Sequence, residues 1–102
     1  MAAQPFRVTT MDSRTLRLAG ELDMASVSKL QAELELRPHG TSTAFDLAEL
    51  TFLDSSGLNA FSQYAKSLNG EGPLVLDNVP DAIADLLRLV GFDQLSTIDI
   101  RR

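Results

Sequence analysis

The sequence predicts a single α/β domain over residues 1–102, with a mixed, mostly parallel β-sheet and helices packed mainly on one face. Short β-rich segments alternate along the chain with segments whose apolar residues recur at helical spacing. The resulting order is β-β-α-β-α-β-α-β, in which strand–helix–strand units imply parallel strands joined by right-handed crossovers. A chain of 102 residues has the size of one domain with one core.

An antiparallel hairpin is predicted at the start of this order. Residues 6–10 and 15–19 alternate apolar and polar side chains, as strands with one buried face do. A mostly polar turn at residues 11–14 joins them, and Gly20 ends the second strand.

The first helix is predicted to begin at Asp23, because a carboxylate is a preferred N-cap. Val27, Leu30 and Leu34 then recur at helical spacing, and the polar residues between them fall mostly on the other side of the helix. The Pro-His-Gly segment at residues 38–40 ends this helix.

The remaining elements are predicted from the same patterns. A strand at residues 43–47 leads to a helix at about residues 56–69. A nearly continuous apolar strand at residues 74–77 leads to a helix that begins at Pro80, and residues 95–100 form the last strand. The apolar faces of the second and third helices contain Leu58, Phe61, Ala65 and Leu68, and Ile83, Leu86, Leu87 and Val90, respectively.

Composition excludes several classes of function. The net charge of −5 opposes binding to nucleic acid or to anionic lipid, because both need Lys and Arg on the protein. The chain has no cysteine, so it has no disulfide and no thiolate metal site. No apolar run approaches the roughly 20 residues that span a bilayer, and the first residues lack the apolar segment of a signal peptide. We therefore expect a cytoplasmic protein without membrane insertion, cofactor or metal.

The sequence contains no recognisable catalytic motif. His39 is the single histidine and lies in a predicted loop, and the Gly-x-Ser-x-Gly motif of hydrolases is absent. Gly70 and Gly72 lack the Lys-Ser/Thr pair that follows in a phosphate-binding loop. We therefore expect that the protein is not an enzyme.

The segment Phe-Leu-Asp-Ser-Ser-Gly-Leu at residues 52–58 has two interpretations. Asp54, Ser55 and Ser56 stand where the second helix is predicted to begin, and Asp and Ser are common N-caps. Alternatively, one hydroxyl is a site of modification, because a phosphate at this turn would lie near free amides and the positive end of the helix.

The apolar residues of the same segment have a structural interpretation. We expect Phe52, Leu53 and Leu58 to fasten the turn to the core. Leu22 is expected to be buried as well, whereas the sequence does not decide whether Met24 is buried or exposed.

Three segments together resemble the STAS domain family. They are Gly-Glu-Leu-Asp at residues 20–23, the Asp-Ser-Ser-Gly-Leu motif at residues 54–58 after Asp46-Leu47, and residues 86–95. The resemblance covers nearly the whole chain, and the closest subgroup in appearance is the stand-alone bacterial anti-sigma factor antagonists. It implies a small β-sheet flanked by helices and a binding protein that is not an enzyme.

The resemblance also implies a phosphorylation cycle. An antagonist of this kind binds an anti-sigma factor that is also a serine kinase, and the sigma factor is freed. The kinase then phosphorylates the first serine after the motif's Asp, which breaks the complex, and a phosphatase resets it. Carried to this chain, the resemblance assigns phosphorylation to Ser55. Partner-binding residues are then expected around it: Glu21, Asp23, Met24, Asp54, Ser56, Gly57 and Asn59.

One alternative stays open at the level of sequence. STAS domains also occur as subunits of lipid-trafficking ABC transporters, where a similar end of the domain docks on the ATPase. Asn59 differs from the small residue often found after Gly-Leu in the family, so the kind of partner is not decided by the motif alone.

Overall fold

The computed structural model describes residues 5–38 and 40–102, and its order of elements confirms the predicted α/β fold. His39 and residues 1–4, on which the expectations about catalysis and a signal peptide depend, lie outside the described residues. The strands are β1 (Arg7–Thr10), β2 (Thr15–Leu22), β3 (Ala44–Leu53), β4 (Leu74–Asp77) and β5 (Ile98–Ile100). The helices are α1 (Val27–Glu35), α2 (Ser55–Ser67) and α3 (Asp81–Leu89).

Within this described part of the chain, the strands form one mixed sheet in the order β1-β2-β3-β4-β5. β1 pairs antiparallel with β2, and the pairs that follow are parallel, as predicted. Each parallel connection contains a helix that carries the chain back across the sheet. The carboxyl ends of β2, β3 and β4 therefore lie along one edge, where loops can combine residues from different strands.

The core lies on one face of the sheet. Leu16, Phe45 and Leu76 stand side by side on β2, β3 and β4, and all three are fully buried. The ring of Phe45 lies 5.4 Å from that of Phe61 and 5.5 Å from that of Tyr64, both on α2. The helices therefore cover this face, as expected from the alternation along the strands.

The opposite face of the sheet carries charged residues. Arg17 forms ion pairs with Asp46 at 3.1 Å and with Glu49 at 3.3 Å. Burial raises the pKa of the Asp46 carboxyl, but hydrogen bonds from the Ala48 amide and from Arg17, together with the charge of Arg17, outweigh it. The pKa of Asp46 therefore lies below its ordinary value.

The prediction that β3 ends at residue 47 is wrong, because the strand continues over Ala44–Leu53. Its register with β2 shifts at two places, and the Asp46 carboxylate accepts a hydrogen bond from the Ala48 N–H at 2.9 Å. A bulge of this kind inserts a residue and interrupts the alternation of apolar and polar side chains. The alternation of side chains therefore predicts that the strand ends at residue 47, where β3 only bends and then continues.

Further boundaries differ from the prediction. β2 continues through Gly20 to Leu22, although the sequence predicts that Gly20 ends the strand. α2 begins at Ser55, one residue earlier than expected, and β5 covers only Ile98–Ile100. Between α3 and β5 the chain passes through Gly91, in the left-handed region at φ 84°, into a 3-10 turn at Phe92–Gln94. Residues 95–97, which follow this turn, are therefore not part of a strand, although the sequence predicts that the last strand begins at residue 95.

Candidate functional site

Two loops meet at the carboxyl edge of the sheet. Residues 23–26 join β2 to α1, and Asp54 alone joins β3 to α2. Because β2 and β3 are parallel neighbours, with Leu22 opposite Leu53, both loops leave the sheet at the same place. The Asp54 N–H donates to the Leu22 carbonyl at 3.2 Å, so the two strands stay hydrogen-bonded up to the start of α2.

Asp54 is the N-cap of α2 and also connects the two loops. Its Oδ1 accepts hydrogen bonds from the N–H groups of Ser56 at 2.9 Å and Gly57 at 3.2 Å, which the first turn of a helix otherwise leaves unpaired. Its Oδ2 accepts from the Met24 N–H at 3.2 Å. The capping interpretation is therefore correct for the aspartate of the motif.

The prediction that Asp23 caps α1 is wrong, because the helix starts at Val27 and Ser26 occupies its N-cap position. Asp23 instead caps the turn before the helix, and its Oδ1 accepts from the N–H groups of Ala25 at 3.0 Å and Ser26 at 3.1 Å. The Ser26 hydroxyl donates to the Glu21 carbonyl at 2.8 Å and accepts from the Asp23 N–H at 3.0 Å. These bonds close a turn of the chain before the helix can begin.

Ser55 is the first residue of α2, and its side chain is exposed. Asn59, one helical turn further along, is exposed as well, whereas Asp54 and Ser56 are partly exposed. In the other loop, Met24 is 78% exposed. The structure thus brings most of the predicted partner-binding residues to one surface around the Ser55 hydroxyl.

Gly57 lies beneath this surface and does not contribute to it. The residue is buried, and a Cβ added to it would lie 2.5 Å from Leu53 Cδ1 and 2.9 Å from Leu22 Cγ. Glycine therefore allows α2 to lie directly on β2 and β3. The predicted role of Gly57 in contacting a partner is thus corrected to a role in packing.

The electrostatics of this edge are acidic. The carboxylates of Glu21, Asp23 and Asp54 belong to the two loops or to the strand end before them, and all three residues are partly exposed. The sequence predicts free amides that would hold a phosphate on Ser55. Two amides of the first turn are not free, because they donate to the Asp54 carboxylate. A phosphoryl group would bring about −1.5 to −2 further charges to a surface that is already negative.

Sequence reasoning missed two residues at this edge. Ser26 organises the first loop, and its sequence signal is the Asp-x-x-Ser spacing of a capped turn. The expectation that Phe52 packs in the core is wrong. Phe52 is 47% exposed, because it lies opposite Glu21 on the sheet face that points away from the helices. Its neighbour Leu53 is buried, as predicted.

Other kinds of site find little support in the described residues. Within residues 5–38 and 40–102, no group of three metal-ligating side chains is arranged to hold an ion. No helix in the described part of the chain is long and apolar enough to cross a membrane. A groove of about 290 Å³ between the carboxyl-terminal ends of α1 and α2, lined by Leu34, Tyr64 and Ser67 among others, lies away from Ser55.

Most of the chain matches a known family of protein domains. Residues 7–98 match the family model described as Mlab, STAS domain. The chain belongs to the STAS domain family. Two curated relatives are the anti-sigma-B factor antagonists of Listeria monocytogenes and Listeria innocua. Each is 31% identical to this STAS domain over 84 residues, which cover 79% of this chain and 74% of the relative.

Solved structures share the fold of this STAS domain. The anti-sigma factor antagonist SpoIIAA in its unphosphorylated form gives a TM-score of 0.66 at 19% identity, and covers 94% of this chain and 87% of that one. The phosphorylated form of SpoIIAA from Bacillus gives 0.61 at 20% identity, with coverage of 94% and 90%. An anti-sigma factor antagonist from Mycobacterium paratuberculosis gives 0.67 at 22% identity, with coverage of 93% and 84%.

Proposed function

We propose that this STAS domain is an anti-sigma factor antagonist, a binding module controlled by phosphorylation of Ser55. The unmodified protein binds an anti-sigma factor that is also a serine kinase, and the sigma factor is thereby freed. Phosphorylation of Ser55 releases the kinase, and a phosphatase restores the hydroxyl. The antagonist contributes no catalytic group and no cofactor to this cycle. The cycle uses the ATP of the kinase and therefore runs in the cytoplasm.

The exposed hydroxyl of Ser55 at the start of α2 is the observation that carries this proposal. The hydrogen bonds that cap the helix are made by Asp54, so modification of Ser55 leaves them in place. In the reaction, Ser55 Oγ attacks the γ-phosphorus of ATP, the bond to the leaving ADP breaks, and the hydroxyl proton passes to the kinase.

Charge supplies the mechanism of release. A kinase that packs against the neutral hydroxyl must also accommodate the carboxylates of Asp23 and Asp54, which favours basic groups on its surface. Phosphorylation adds about −1.5 to −2 charges and a bulky group at the centre of that contact. The cap carboxylate occupies the nearby amides, so the phosphoryl group gains little compensation from the helix and projects toward the partner.

The Listeria relatives support this function over the transporter alternative. Both are named as antagonists of an anti-sigma factor, and the match extends over 79% of this chain. The second candidate function is that of a STAS subunit of a lipid-trafficking ABC transporter. Failure of the test below would favour this function.

Affinity capture from the organism's own extract tests the class of partner. The immobilised protein should retain a serine kinase of the anti-sigma type in the absence of ATP, and it should release the kinase when ATP is added. Mass spectrometry of the released antagonist should show one added phosphate. Recovery of a transporter ATPase with no response to ATP would overturn the proposal.

Serine variants test the site with the recovered kinase. Ser55→Ala should take up no phosphate, whereas Ser28→Ala, which removes an exposed serine from α1, should still take up one. Ser55→Glu should bind the kinase more weakly than the unmodified protein, because it places a negative charge at the switch position. If phosphorylation persists in Ser55→Ala and disappears in Ser56→Ala, the acceptor is Ser56 and not Ser55.

A further inference from the structure

We infer that Phe52, together with Met24, forms an apolar anchor that binds the kinase beside the Ser55 switch. The inference rests on the proposed function, and it adds to the contact a residue that sequence reasoning assigns to the core. It divides the surface into an anchor, which supplies affinity, and a hydroxyl, which controls release.

The placement of Phe52 is the first argument. Its side chain is 47% exposed on the sheet face that points away from the helices, and it precedes Ser55 by only three residues. Its cross-strand neighbour is Glu21, the residue whose carbonyl holds the loop serine Ser26. A half-exposed aromatic ring at the end of a central strand leaves apolar surface in water, and aromatic residues are enriched among the side chains that dominate binding energy.

Met24 adds a second exposed apolar side chain from the other loop. It is 78% exposed, and its N–H is bound to Asp54 Oδ2 at 3.2 Å, so its backbone is held next to the start of α2. Methionine is flexible and polarisable, which suits contact with an irregular partner surface. Asp54 connects the two anchor residues, since it binds the Met24 backbone and follows Phe52 by two residues.

Other exposed apolar residues lack this context. Leu36 and Leu89 are 80% and 83% exposed, but they lie at the carboxyl-terminal ends of α1 and α3, away from the carboxyl edge of the strands. Met11 is 46% exposed in the turn of the β1–β2 hairpin, at the opposite end of β2. Because these residues are remote from Ser55, two of them, Leu36 and Met11, serve as matched controls.

The surface fits a partner of defined chemistry. Phe52 and Met24 require an apolar pocket, whereas Glu21, Asp23 and Asp54 require basic groups at its rim. A partner with an apolar pocket bordered by Lys or Arg meets both demands, and its basic rim is also the part that responds to a phosphate on Ser55. The net charge of −5 on the whole chain steers such a basic partner toward the antagonist.

The test measures the affinity of the recovered kinase for five variants without ATP. Phe52→Thr keeps a β-favouring residue in β3 but removes the ring, and Met24→Ala shortens the other anchor residue. Leu36→Thr and Met11→Ala are the matched controls. We expect Phe52→Thr to weaken binding about tenfold and Met24→Ala several-fold, whereas both controls bind as the wild type does. Phe52→Tyr should restore most of the affinity, and thermal unfolding checks that each variant is folded.

A second measurement separates the anchor from the switch. The weakening of kinase binding by Ser55→Glu is measured once in the wild-type protein and once in the Phe52→Thr variant. Equal weakening in the two backgrounds supports independent action of anchor and switch. Kinase binding that responds to Ser55→Glu but is unchanged by Phe52→Thr overturns the anchor and leaves the proposed function intact. Wild-type protein that neither binds nor is phosphorylated by a kinase overturns both.

Discussion

The two loops at the carboxyl edge of the sheet begin alike and end differently. Each follows a strand that ends in a buried leucine, and each begins with an aspartate whose Oδ1 accepts two backbone N–H groups. After Asp54 the helix begins at once, and Ser55 is exposed. After Asp23 a turn intervenes, and the hydroxyl of Ser26 is bound to the backbone of Glu21 and of Asp23.

The difference lies in which group makes the hydrogen bonds of each loop, and it leaves the Ser26 hydroxyl bound and Ser55 exposed. Both serines follow an aspartate at the same edge of the sheet, so proximity to a carboxylate and to a helix N-terminus does not decide their roles. The Ser26 hydroxyl is part of the hydrogen bonding that forms its loop, and phosphorylation there would require the turn to open. In the second loop Asp54 makes the bonds of the cap, and the exposed Ser55 is the residue that we propose as the phosphate acceptor.

The largest effect is expected from disturbing the packing beneath the second loop. Gly57→Ala places a Cβ 2.5 Å from Leu53 Cδ1 and 2.9 Å from Leu22 Cγ, so these buried side chains or α2 must shift, and we expect the free energy of unfolding to fall by about 1–3 kcal/mol. Urea denaturation measures this change. Asn59→Ala, at an exposed position of the same helix, should stay within about 0.5 kcal/mol of the wild type. Equal stability of the two variants would contradict the packing role of Gly57.

The two aspartates should differ in a way that sharpens the comparison. Asp54→Ala and Asp23→Ala each remove a cap and should cost about 0.5–2 kcal/mol, with Asp54→Ala the more costly because its carboxylate also binds the Met24 N–H. Asp54→Ala should also accelerate hydrogen exchange of the Met24 amide, measured by NMR. Asp54→Asn, which keeps a capping side chain, should recover much of the stability. An unchanged exchange rate in Asp54→Ala would show that the loops are not coupled through this bond.

The two serines should contribute differently to stability. Ser26, which has no proposed role in the switch, should contribute more to the free energy of unfolding than Ser55, the proposed phosphate acceptor. Ser26→Ala removes a hydroxyl with a donor and an acceptor role in its loop, and it should lower the free energy of unfolding by about 1 kcal/mol. Ser55→Ala should change it by no more than about 0.5 kcal/mol, because the residue is exposed and Asp54 makes the cap. Thermal unfolding of the two variants side by side measures both values. A more costly Ser55→Ala would indicate that Ser55 has a structural role after all.

The smallest effect is expected on the pH dependence of stability. It concerns Asp46, a carboxylate of β3 that lies outside both loops and serves as a reference for them. The pKa of Asp46 is depressed in the folded protein, so its contribution to stability is present above the unfolded value of about 4 and is lost as the pH falls through the folded pKa. When the pH is lowered from 7 into the acid range, the free energy of unfolding should therefore fall less in the Asp46→Asn variant than in the wild type. Denaturation at several pH values measures this, and parallel curves for the two proteins would contradict it.

The fold class and the candidate acceptor could be predicted from the order of residues alone. The order of helices and strands was predictable because apolar periodicity records which side of each element is buried, as the fully buried Leu16, Phe45 and Leu76 illustrate. Ser55 was assigned through the resemblance of its motif, and Asp54 through the preference of helix starts for a carboxylate. Periodicity and capping preference are local signals, so they are readable from neighbouring residues, whereas the resemblance that assigns Ser55 depends on three separate segments of the sequence.

The way in which these elements contact one another could not be predicted from the sequence. The length of β3 depends on a bulge against β2, and the exposure of Phe52 depends on which face of the sheet the helices cover. The bond between Met24 and Asp54 joins residues 30 positions apart, and the need for glycine at residue 57 comes from side chains on two strands. The physical reason is the same in each case: these properties depend on contacts between segments that are distant in the chain, which periodicity and capping preferences do not record.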